Sequence, residues 1–152
     1  MRLIFFFILL FVQASALTQI YKGVTGIDSY HKSLAEIDNS LRSNPSKYIQ
    51  LREDLLQQSQ EDDNLKLDII LDIYHGSHFY FQNDLDSAKV YFDLAIEKAT
   101  SINQDQLYRT AKIRRIFCEE YTSTKSRMAS EMKLIYIDSY NKRDTVNMLY
   151  SL

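Results

Sequence analysis

Tryptophan is missing from this sequence, cysteine and proline occur once each, and glycine occurs only three times. So little Gly and Pro excludes a β-rich fold, whose strands need turn residues at roughly 8–12-residue spacing. The lone cysteine, Cys118, excludes an internal disulfide, so packing has to supply the stability. A reactive thiolate would need an adjacent histidine or a cationic setting, whereas free cysteine is more often a small buried residue on a helix face. Polybasic runs are absent too: 18 basic side chains stand against 20 acidic ones, for a formal charge of −2. Without clustered Lys and Arg there is no phosphate-neutralising surface, which argues against nucleic acid as a partner. A serine nucleophile elbow, a phosphate-cradling glycine loop, a dinucleotide fingerprint and HExxH are all missing. No residue nominates itself as catalytic, so no enzyme activity, cofactor or metal is expected.

What is present begins at the N-terminus. Arg2 supplies a positive charge, Leu3 to Val12 is an unbroken apolar run, and Ala14, Ser15 and Ala16 form a small-x-small site. That is the pattern of a secretory signal peptide over residues 1–16, cleaved after Ala16. The run is far shorter than the roughly 20 residues needed to span a bilayer. No other stretch approaches that length, so no stable membrane span is expected after cleavage, and the protein is expected to be exported, periplasmic or secreted.

Residues 17–26 hold two of the three glycines and read as a flexible lead-in. Apolar residues at helical spacing then predict an all-α chain of about six helices and a partial seventh. An N-terminal helical hairpin covers 27–60: a first helix over 27–42 with Asp28 as its cap, and a second starting at Pro45, which suits a first helical turn. A third helix is expected over 64–81, apolar on more than one side and hence placed between neighbours. The rest follow at 85–101, 107–121 and 127–140, with the last beginning at Thr145.

The third and fourth helices carry a recognisable spacing. Gly76 precedes Phe79 by three, and after a short polar turn come Ala88, then Phe92 four later and Ala95 three beyond that. Small residues let two antiparallel helices approach, and the aromatics fill the space alongside. This arrangement resembles the tetratricopeptide repeat, with one unit at about 69–102. Asp72 stands where an early aromatic is usual, and Thr100 where proline often ends the unit. A shift of 42 residues lays Cys118 over Gly76, Tyr121 over Phe79, Ser130 over Ala88, Leu134 over Phe92 and Ile137 over Ala95, which suggests a second unit. The resemblance implies antiparallel hairpins stacked as a short α-solenoid over 61–152.

It also implies a function, since the first helix of each such unit lines the surface where proteins or peptides bind. Position by position, that surface would present Ile70, Ile73, Ser77, Tyr80 and Phe81 from the first unit and Lys112, Arg115 and Glu119 from the second. Such a patch suits a peptide with a hydrophobic anchor and a carboxylate. The same wide face equally fits packing of Ile70, Ile73 and Phe81 against preceding helices. The expected function is therefore an exported protein–protein or peptide interaction module without catalysis. Signal segment and long repeat units together are also similar to the periplasmic sensor region of bacterial regulators, so a truncated sensory domain lacking its output is the alternative. The chain stops inside a helix with no polar cap, which is expected either of a truncated relative or of a chain that self-associates through that end. His75 and His78, with Asp72 and Asp68 before them, allow a metal site to be drawn, but three-residue spacing constrains one loosely and solvated helix surface accounts for them better.

Overall fold

A computed structural model describes residues 20–119 and 125–151. Residues 1–16, read from the sequence as a signal peptide, residues 17–19 and Tyr121 lie outside them. Among the described residues the chain is all-helical, with seven α-helices packed in adjacent antiparallel pairs as a short solenoid. After a 3-10 turn at Asp28–Tyr30 come α1 (His31–Ser43), α2 (Pro45–Glu61), α3 (Leu65–Phe81), α4 (Leu85–Ser101), α5 (Asp105–Phe117), α6 (Lys125–Asn141) and α7 (Thr145–Tyr150). None of these helices is long and apolar enough to cross a membrane.

One turn design recurs. Asp63, Asn83, Asn103 and Arg143 all have positive φ, between 49° and 61°, and they fall at multiples of twenty residues. Each ends a helix in the left-handed conformation, and the next amide reaches back to a helical carbonyl: Asn64 N to Ser59 O, Asp84 N to Phe79 O, Gln104 N to Ala99 O and Asp144 N to Ser139 O. The residue after each left-handed position starts the following helix. Asn64, Asp84 and Asp144 accept from the amides of Leu67, Ser87 and Asn147 at 3.1–3.2 Å, satisfying a free helix-start donor. Asn44 does the same for α2 ahead of Pro45. Asp28, expected to cap the first helix, makes no such bond; the helix is entered through the 3-10 turn.

Residues 20–26 correct the expected flexible lead-in. Ile20, Tyr21 and Val24 join the main core, and Gln106 of α5 donates to the Lys22 carbonyl at 2.7 Å. The two glycines serve turn geometry instead, both at positive φ.

α3 is the axis of the molecule, buried continuously from Ile69 to His78. Its crossing with α4 is very close: a Cβ on Gly76 would stand 2.7 Å from the Phe92 ring. Ala88, Phe92, Ala95 and Ala99 line the buried side of α4. The forty-residue spacing of the turns carries over to α6, whose inward positions are Met128, Met132, Ile135 and Ser139. The 42-residue alignment is therefore overturned. Ser130, Leu134 and Ile137 are exposed, because a two-residue slip rotates a helix by about 200°. Cys118 is buried as expected.

Candidate partner-binding groove

The α5–α6 hairpin is looser than α3–α4, and its side chains explain why. Forty residues after Gly76, Ala88 and Ala95 stand Ile116, Met128 and Ile135. Interaxial distance follows bulk at the crossing, so these large residues wedge α6 away from α5. Ile113, Ile116 and Ile135 form a satellite cluster apart from the main core, with Phe117, Met128 and Met132 packed on it.

Beside this wedge, between α4, α5 and α6, lies a groove of about 570 Å³. Ile96, Tyr108, Ile116, Leu134 and Ile135 give it apolar walls. Leu134 is 68% exposed, so its apolar surface faces water unless something covers it. The charged lining is largely self-neutralised. Arg115 binds Asp93 through Nε at 3.0 Å and Glu119 through Nη1 at 2.6 Å. Arg127 pairs with Glu131 at 3.0 Å, and Arg109 with Asp138 at 2.9 Å. Lys112, half-buried in the same lining, has no carboxylate partner among the described residues.

Of the expected partner-binding residues, the structure brings Lys112, Arg115 and Glu119 together in this groove. The others are elsewhere. Ile70 and Ile73 are fully buried in the main core. Ser77 is buried too; its Oγ donates to the Ile73 carbonyl and accepts from Arg114 Nη1 at 3.3 Å. Tyr80 packs against the core from its edge, and Phe81 lies beneath the Arg42 guanidinium, 4.0 Å from the ring centroid. The central position of α3 is the reason, since its first-helix face is covered by α1 on one side and α5 on the other. Ile96, Tyr108 and Leu134 were not anticipated as groove residues. His75 and His78, expected at a solvated surface, are buried. No group of three or more His, Cys, Asp or Glu among the described residues is placed to hold a metal ion.

Burial shifts two titratable groups outside the groove. Burial pushes the Cys118 thiol up to about 11, so it stays protonated and unreactive at neutral pH. On α1, burial pushes Asp38 up to about 6 despite Arg114 and Arg42 nearby, and its Oδ1 has no hydrogen-bond partner among the described residues. A carboxyl raised from 3.8 binds a proton more tightly folded than unfolded, so stability falls as pH rises through that interval. Asp38→Asn should therefore stabilise the fold by about 1–2 kcal/mol at pH 7, with the gain vanishing below pH 4. Urea midpoints at the two pH values test this, and an equal effect at both would show that ionisation is not the cause.

No family model, curated protein or solved structure matches the chain.

Proposed function

We propose that the chain is a tetratricopeptide-like interaction module without catalytic activity, which holds a protein or peptide segment in the groove between α4, α5 and α6. The observation that carries this reading is the combination of apolar walls, including exposed Leu134, with one cation that has no carboxylate partner among the described residues while the charges around it are paired. A segment presenting a large apolar side chain and a nearby carboxylate satisfies both: it covers Leu134 and Ile96 and gives Lys112 its counter-charge. The small–aromatic spacing of α3 and α4 supports the repeat assignment, and Met1 to Ala16 support export.

Selection of a short-peptide display library on the full chain tests the proposal. Enriched peptides should combine an apolar and an acidic residue, and Lys112→Glu should weaken them about 10-fold, a loss near 1.4 kcal/mol. Leu134→Asp, at a position exposed enough to leave the fold intact, should abolish enrichment. Peptides that bind both variants as tightly as the parent would refute the groove.

A further inference from the structure

The N-terminal half of α2 is held to α3 by an aromatic and imidazole stack that plays no part in the groove. Tyr48 is buried and lies over His78 with ring centroids 4.6 Å apart, and its hydroxyl is 3.1 Å from His75 Nδ1. The two imidazoles are parallel within 4°, 6.0 Å apart, and Tyr91 of α4 meets His75 edge-on at 4.4 Å. With both rings neutral, the Tyr48 O–H donates to Nδ1 and the stack is uncharged.

Among the described residues no carboxylate pairs with either imidazole. From α2, Arg52 extends towards Tyr91 and stands 3.9 Å from Asp72. On α3, Asp72 and Asp68 are both taken by Lys98 of α4, at 2.6 Å each. From α1 comes the Leu41 carbonyl, hydrogen-bonded to His78, whose Nε2 also lies 3.0 Å from Gln82 Nε2. A proton on His75 would sit beside Arg52 and His78, and would remove the acceptor that Tyr48 uses.

The geometry points to an acid-operated latch: protonation of the His75–His78 pair releases the N-terminal half of α2 from α3 and uncovers the seam under Tyr48. The direction is consistent with the surroundings. Burial, reinforced by Arg52 and His78, pushes His75 down to about 4, and burial also lowers His78. An imidazole held below its solution value takes up a proton on release, so acid favours the open form between roughly pH 6.5 and pH 4. Leu55 and Ser59, buried further along α2, have no titrating partner and keep its other half docked.

Hydrogen exchange on the full chain at pH 7 and pH 5, corrected for the intrinsic rates, reads the latch. Opening of amides 47–52 should rise about 20-fold at the lower pH, with α4 unchanged. His75→Phe keeps a ring in place without a proton to gain and should flatten that response; Asp38→Asn should not. A response that persists in His75→Phe, or α2 protection equal at both pH values, would overturn the latch. Should His75→Phe fail to fold, the histidine resonances of the unaltered protein decide: His75 titrating in the folded state near 6.5 would overturn it, and titration well below would sustain it.

Discussion

Replacing Arg109 by alanine is expected to cost about 3–5 kcal/mol and to free α6 and α7 while α3 and α4 remain folded. The Arg109 side chain is buried, with Nε and Nη2 on Asp144 Oδ2 at 3.0 and 2.7 Å and Nη1 on Asp138 at 2.9 Å. Truncation would leave the buried Asp144 carboxylate without its counter-charge, and an uncompensated buried charge costs far more than a surface pair contributes. The effect should be local, because the polar contacts that dock α7 and the end of α6 on α5 lie apart from the main core, and only the small satellite cluster joins α6 to α5 besides them. Asn147, fully buried, donates to the Gln106 carbonyl at 3.0 Å and accepts from Thr110 Oγ1 at 3.0 Å, and Lys142 pairs with Asp105. Urea unfolding followed by circular dichroism gives the magnitude, and hydrogen exchange gives the location. Arg109→Leu combined with Asp144→Asn removes both charges and keeps an α7 cap, so it should recover most of the loss. A single variant that loses less than about 1 kcal/mol, or that loosens α3 and α6 alike, would show that this clasp is not what docks the end of the solenoid.

Most of the helices were legible because they end in polar punctuation; α5, which stops at Phe117 and Cys118 where 121 was expected, does not. Asn83 and Asp84 mark both the left-handed stop and the next cap, and the expected 85–101 helix is the one observed. The close α3–α4 crossing was legible for the same kind of reason, since only glycine at 76 admits the Phe92 ring at that distance. What failed was the repeat register. The alignment matched residue size, which is degenerate in helices, whereas the backbone period is set by Asp63, Asn83, Asn103 and Arg143. Counted from those turns, Ser59, Ala99 and Ser139 become equivalent small residues, all buried just ahead of a turn. Leu134 then points outward, and Ile116 falls where Gly76 stood, which is the wedge that opens the groove. The histidines failed differently. Polar residues at three-residue spacing resemble a wet face, and only the partners on α2 and α4 reveal that the face is covered.

That contrast between the two hairpins has an energetic signature. Phe92→Ala should destabilise the fold by about 3–5 kcal/mol, because it empties a fully buried aromatic site between α3 and α4 that the rigid crossing cannot collapse to fill. Met132→Ala, the equivalent change on α6, should cost less, since Met132 is only partly buried in the satellite cluster. Gly76→Ala attacks the same crossing from the other side: its Cβ would meet Cε1 of Phe92 at 2.7 Å, and displacing a ring packed on all sides should cost about 1–3 kcal/mol. The two substitutions should be strongly non-additive. Once the ring is gone the added methyl has room and fills part of the cavity, so Gly76→Ala should be neutral or mildly stabilising in the Phe92→Ala background. Chemical denaturation of the four proteins closes the cycle. Costs that simply add would mean that Gly76 is needed for something other than the ring it faces, and the steric account of both the tight hairpin and the open groove would fall with it.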